Sequence, residues 1–185
     1  MKALIMTLLV CAALLHAERA GPYAAAAYGK GVYDSNGRLE SLRQDDIKNS
    51  MRLTLGAYIN ENLSVEVDYT LYETFKAVYN QEHVREHFAL IGVCAVPHYP
   101  LYNDTIDLFG RIGAGQINWD ETGDHTSRSD AGVYVLGAGV GYRMLSTLMF
   151  KVGYELNLFE MQDTNTGISH DMRLDYYYAG IEVTF

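Results

Sequence analysis

The sequence predicts an all-β fold: eight antiparallel strands in up-and-down order, closed into a transmembrane β-barrel. Three observations predict it. First, the last ten residues, YYYAGIEVTF, alternate strictly to the end of the chain. Tyr177, Ala179, Ile181, Val183 and Phe185 share one parity, while Tyr176, Tyr178, Gly180, Glu182 and Thr184 share the other. A strand gives one face to each parity. Chain ends usually fray in water, so a strand that runs to a bare Phe suits a membrane better than a soluble domain. Second, 49% of residues are hydrophobic, yet mean hydropathy is only -0.08. That balance fits a barrel with a polar inward half and not a bundle of membrane helices. Third, the links between alternating segments are short and long in turn.

The N-terminus has the form of a secretory signal. Met1 and Lys2 give a positive start, Ala3 to Leu15 is apolar except for Thr7, and Leu15-His16-Ala17 is a cleavage site. A cut after Ala20 would place Glu18 where a small residue belongs. The apolar run falls short of the ~20 residues that span a bilayer, and Cys11 lies too deep in it to be a lipoprotein cysteine. The expected division is therefore a cleaved signal, residues 1–17, followed by a barrel, residues 18–185. Beyond Ala17 no run of apolar residues is long enough for a membrane helix. Only Cys94 then remains, so no internal disulfide is expected. The formal charge of -9 argues against nucleic acid as a partner.

Eight segments alternate after the signal: 21–33, 50–59, 63–75, 85–96, 105–119, 130–144, 148–160 and 172–185. In the second, Met51, Leu53, Leu55, Ala57 and Ile59 oppose Arg52, Thr54, Gly56 and Tyr58. In the third, Leu63, Val65, Val67, Tyr69 and Leu71 oppose Ser64, Glu66, Asp68, Thr70 and Tyr72. In the seventh, Phe150, Val152, Tyr154, Leu156 and Leu158 oppose Met149, Lys151, Gly153, Glu155 and Asn157. The first and fourth are weaker, with small or apolar residues on both parities. Such lengths match the ~9–11 residues of a tilted membrane strand. Asn60-Glu61-Asn62 and Leu145-Ser146-Thr147 are tight turns, and Pro97 to Asp104 is a somewhat longer link on the same side. Asp34 to Asn49 and Asp120 to Ser129 are the clearest long polar links. Short periplasmic turns and longer outer loops are the pattern of membrane barrels. Tyr69, Tyr142, Tyr154, Tyr177, Phe150 and Phe185 share the apolar parity, several of them near strand ends, where aromatic rings favour the membrane interface.

The inward parity carries Arg52, Glu66, Asp68, Arg111, Arg143, Lys151, Glu155 and Glu182. An eight-stranded barrel is just wide enough for side chains to fill, and charges there need partners. These eight form the expected lumen ion-pair network. A plug is the first reading and a gated narrow conduit the second. Gly137, Gly139 and Gly141 in GAGVGYR leave room for bulky partners across the lumen; with no lysine or helix following, this is not a nucleotide loop.

Two strings invite a catalytic reading. His83-Val84-Arg85-Glu86-His87 matches the H-x-x-E-H zinc pattern. On a helix residues four apart rise only ~6 Å, but on a strand they lie ~13 Å apart, too far to share one zinc. The string leads into the fourth strand, so no metal is expected. His125-Thr126-Ser127 gives a His-x-Ser pair like that of outer-membrane lipid A deacylases. It lies in a polar loop without the flanking residues of those enzymes. Cys94 is expected to be an inert lipid- or core-facing residue. No catalytic residue and no cofactor is expected.

The start GPYAAAAYGKG, the hairpin MRLTLGAYINENLSVEVDYT, and the strands LFGRIGAGQINW and SDAGVYVLGAGVGYRM lead to the closing AGIEVTF. Through these the chain resembles the small OmpA-like outer-membrane β-barrel family over nearly its whole mature length. The resemblance implies eight antiparallel strands in the outer membrane of a Gram-negative bacterium. It implies that Tyr177, Ile181, Val183 and Phe185 form the C-terminal signal for the barrel assembly machinery, and that Arg111, Arg143 and Glu66 join the lumen network. Longer members add a periplasmic peptidoglycan-binding domain, and no such domain is expected here. The expected role is structural and surface-exposed: membrane integrity and loop-mediated contacts, with outer-membrane lipids, the assembly machinery and an unknown loop ligand as partners. A narrow channel for ions or small solutes is the alternative, and a rim lipid-modifying hydrolase the third.

Overall fold

The computed structural model describes residues 21–34, 47–79, 82–122, 127–162 and 169–185. The alternating segments form β1 (Gly21–Asp34), β2 (Ile47–Asn60), β3 (Leu63–Tyr72), β4 (Phe75–Tyr79), β5 (Glu82–Leu101), β6 (Ile106–Thr122), β7 (Ser127–Leu145), β8 (Leu148–Gln162) and β9 (Ser169–Thr184). Every pairing is antiparallel. β3 and β4 both pair with β5 and are two halves of one stave, interrupted at Glu73 and Thr74. β1 pairs with β9, so the sheet closes into an eight-stranded up-and-down barrel with no free edge.

Several boundaries differ from those expected. Residues 76–79 and 82–84 are strand rather than loop, because Phe75–Tyr79 pairs residue for residue with Glu82–Glu86. His83-Val84-Arg85-Glu86-His87 therefore lies within β5. The link expected from Pro97 to Asp104 contracts to Tyr102–Thr105, since Pro97–Leu101 continues β5. Tyr102, Asn103 and Asp104 make that turn with φ of 51°, 54° and 63°; Asn and Asp tolerate this left-handed region, whereas it is uncommon for Tyr. The 120–129 loop shrinks likewise, with β6 reaching Thr122 and β7 starting at Ser127. His125 and Thr126, the signal segment and most of the 34–49 link lie outside the described residues.

The two faces sort as the alternation dictates over the turn-side half of the barrel. Leu55 is 69% exposed while its neighbours on either side point inward. The band of outward Leu, Ile, Val and aromatic residues includes Leu53, Val67, Ile91, Ile112, Tyr142, Phe150 and Ile181.

Above that band the pattern inverts. Gln116, Asn118 and Asp120 face outward on β6 while Ile117 and Trp119 are buried within. On β9, Arg173 and Asp175 face outward while Met172 and Leu174 are buried. Tyr33, Phe75, Phe88, Leu90, Ile117, Trp119, Phe159, Met172 and Leu174 join one apolar core across the upper lumen. The expectation of a polar lumen thus holds for one half only. Strand length explains it. The 19 residues of β7 make about 63 Å of strand and, at a tilt of roughly 40°, about 48 Å of height, against an apolar band of about 25 Å. The remaining ~20 Å stands in water outside, where apolar side chains turn inward as in a soluble barrel. Polar outward groups at the boundary are partnered: Tyr154 donates to Asp175 Oδ1 at 2.5 Å, and Arg173 Nε donates to Asp175 Oδ2 at 3.0 Å.

Candidate functional site

The charged lumen layer lies beneath the apolar core and is assembled from β2, β3, β6, β8 and β9. Inward parity brings Arg52, Glu66, Asp68, Arg111, Lys151, Glu155 and Glu182 to the same height, each no more than 7% exposed. Arg111 is the hub. Its two terminal nitrogens donate to Glu66 Oε2 and Asp68 Oδ2, and its Nε lies 3.0 Å from Glu155 Oε2. Arg52 pairs with Glu155, donates to Thr70 at 3.0 Å and places its guanidinium 4.7 Å from the Tyr176 ring centre. Lys151 lies 2.5 Å from Glu182 Oε2 and 3.6 Å from Glu66 Oε1, with the Phe109 ring 4.9 Å away. Hydroxyls satisfy the remaining oxygens: Tyr23 donates to Glu66 at 2.7 Å, Tyr58 to Glu182 at 2.7 Å and Thr54 to Asp68 at 2.6 Å. Three cations thus face four carboxylates, with hydroxyl donors supporting the excess negative charge. Charge-assisted bonds of this kind are the strong ones, provided that every member is satisfied.

Arg143 shares the inward parity but does not join this layer. It sits near the end of β7, half-buried, and donates to the backbone oxygens of Asp104 at 3.1 Å and Ser146 at 3.2 Å. Its height, set by its place beside the 146–147 turn, puts it below the lumen charges. Cys94 is buried and inward, with Arg111 Nη2 3.5 Å from its Sγ. Tyr177, Ile181, Val183 and Phe185 all face outward, Phe185 with 77% of its surface exposed. Of the candidate pair His125 and Ser127, the second begins β7 and the first is outside the described residues.

A second constellation at the turn end has no signature in the sequence. Ser64 Oγ lies 3.0 Å from His98 Nε2, and His98 Nδ1 lies 2.8 Å from Asp107 Oδ2. That is the connectivity of an acyl-transfer triad. Yet Ser64 is 0% exposed, and its oxygen is also 2.9 Å from the Tyr23 hydroxyl. A nucleophile needs room beside it for the reacting carbon, so the arrangement acts as a buried stitch between β3, β5 and β6. The three residues come from three strands, and only the register brings them together.

Little free space remains within the charged layer. A void of about 20 Å³ lies among Arg52, Glu66, Arg111, Lys151 and Tyr178, room for about one water. Phe88, Leu90, Ile117 and Leu174 close the lumen above it, none more than 2% exposed.

An apolar belt around a closed antiparallel barrel with a filled, ion-paired interior defines a small integral membrane β-barrel. The chain belongs to the outer membrane protein beta-barrel domain family, whose profile matches residues 3–184. Solved structures with the same fold include Neisserial surface protein A, with a TM-score of 0.71 at 18% identity over 89% of this chain and 97% of that one. Ail, the attachment invasion locus protein of Yersinia pestis, gives 0.57 at 14% identity over 89% and 99% of the two chains. The outer membrane protein OprG of Pseudomonas aeruginosa gives 0.55 at 11% identity over 91% and 98%. Comparison with curated proteins by sequence found no match. The protein is an outer-membrane β-barrel.

Proposed function

We propose that this barrel is a sealed, non-enzymatic surface scaffold. It contributes to membrane integrity and holds its loop end outward for contact with external partners. One observation carries the reading: the lumen is filled at two successive levels, by ion pairs and then by apolar side chains, with a void of only about 20 Å³ in the charged layer. A hydrated ion needs a continuous aqueous path, and neither level offers one. The apolar parity switch lifts the ends of β5, β6 and β7 above the bilayer, where they present the loops. Ail, a structural neighbour, is an attachment invasion locus protein, which favours a contact role over transport. In this reading residues 1–17 direct export and are removed. The outward strand Tyr177, Ile181, Val183 and Phe185 is read by the barrel assembly machinery of a Gram-negative cell, and the short turns face the periplasm.

The test is conductance in a planar bilayer. Folded protein, verified by a mobility shift between unboiled and boiled gel samples, is expected to give no steady single-channel steps in molar salt. Reproducible steps that vanish when the protein is boiled beforehand would refute the sealed reading in favour of the narrow channel.

A further inference from the structure

We propose that the barrel takes up an extended peptide of alternating basic and apolar residues as an added strand between β7 and β8 at its loop end. The inference deepens the contact role proposed above and rests on it. β7 and β8 pair from Leu145 opposite Leu148 up to Val133 opposite Phe159, and pairing stops there. Both strands continue. β7 stays paired with β6 as far as Ser127 opposite Glu121. β8 stays paired with β9 as far as Gln162 opposite Ser169. Among the described residues, 127–132 of β7 and 160–162 of β8 therefore keep one edge without a partner strand. Such an edge carries a row of backbone donors and acceptors on which a further strand can add.

A cleft of about 990 Å³ lies between the two edges. A residue in a sheet takes up about 3.3 Å by 4.8 Å by 10 Å, so the cleft holds about six, as many as the β7 edge offers. A Cβ built at Gly132, on that edge, would meet no atom within 4 Å. The edges stand above the apolar band, in water, where a soluble partner reaches them.

The pleat fixes the pattern of the occupant, because alternate side chains of an added strand point to opposite faces of the sheet. On the inward face they would meet Trp119, Val133, Phe159 and Met172, all buried and apolar. On the outward face they would stand beside Asp130, Glu160 and Asp171, all exposed. Glu160 lies directly opposite Asp171 across the β8–β9 pair. Like charges so placed are unfavourable, and a basic side chain beside them relieves the repulsion. None of the described residues lining the cleft is basic. The same carboxylates disfavour a second copy of this chain, whose edges are equally acidic.

The protein carries its own reporter, because Trp119 is its one tryptophan and lies on the inward wall of the cleft. The full mature barrel, folded in uncharged detergent micelles and verified by its gel shift, is titrated with a tryptophan-free peptide of about six residues that alternates lysine and valine. A saturable change in Trp119 emission is expected. A peptide of the same composition, with lysines and valines in two blocks, is expected to bind at least about ten-fold more weakly, the worth of one buried valine. Asp130→Asn with Glu160→Gln is expected to weaken binding about five-fold, as exposed charge pairs allow. Asp130→Lys with Glu160→Lys is expected to transfer the preference to a peptide with glutamate in place of lysine. Four results would overturn the proposal. No saturable change would mean that the edges take no strand. Equal binding of the block peptide would mean loose attraction of charge. Undiminished binding to the amide variant would put the peptide elsewhere. Dimers of the peptide-free barrel in sedimentation would mean that a second copy takes the edges. Failure to bind by a barrel that stays non-conducting leaves the sealed scaffold standing, whereas conductance steps count against the scaffold alone.

Discussion

Replacing Arg111 by Met removes the hub of the lumen layer without leaving a large cavity. In the native barrel three cations face four carboxylates; in the variant two remain, and the oxygens of Glu66, Asp68 and Glu155 that Arg111 contacted lose their partner. Breaking a buried pair by removing one member costs about 3–5 kcal/mol. The assay is equilibrium urea unfolding in lipid vesicles at pH 7, followed by gel mobility and Trp119 fluorescence. Arg143→Met, outside the cluster, serves as the control and is expected to cost about 1 kcal/mol through the two backbone hydrogen bonds it loses, well below the loss at Arg111. A deficit below about 1 kcal/mol for Arg111→Met at pH 7, the range of solvent-screened pairs, would refute a dry network.

Three further perturbations probe other levels. Leu55→Arg, on the lipid face, is expected to cost about 2–4 kcal/mol in vesicles if it sits near the bilayer midplane, measured in the same urea titration; a change within 0.5 kcal/mol would place that face in water. Gly56→Val pushes against Tyr23, whose ring carbon Cζ lies 2.3 Å from where a Cβ would stand. Overpacking of that kind costs about 1–3 kcal/mol, and an unchanged urea midpoint would show that the ring moves freely. Phe185→Ser is expected to lower the amount of assembled barrel in cells while leaving the purified barrel's urea midpoint within about 0.5 kcal/mol, as befits an exposed end residue; normal assembly in cells would remove Phe185 from the assembly signal.

The face of almost every strand residue was legible without the structure. Leu53 and Leu55 outward, Arg52 and Thr54 inward, follow from a two-residue period that the pleat imposes locally. The inversion above the membrane is equally present in the letters, in Gln116-Ile117-Asn118-Trp119-Asp120, but its sense depends on knowing where the hydrocarbon ends. The strand limits were less legible, because polar residues such as those of 82–87 extend a hairpin when the opposite strand supplies hydrogen bonds, and nothing local announces that partner.

The sequence by itself determined the period, the two faces, the strand order and hence the closed barrel, since each depends on neighbouring residues and short links. Height was decided only by the tertiary structure. Register and stagger between strands set which inward residues meet, and they arise from pairings between residues up to about 160 positions apart, such as Tyr23 with Thr184. For that reason Arg111 reaches Glu66, Asp68 and Glu155 while Arg143, of the same parity, does not. Ser64, His98 and Asp107 converge from three strands for the same reason, and the seam between β7 and β8 opens where the register between them ends.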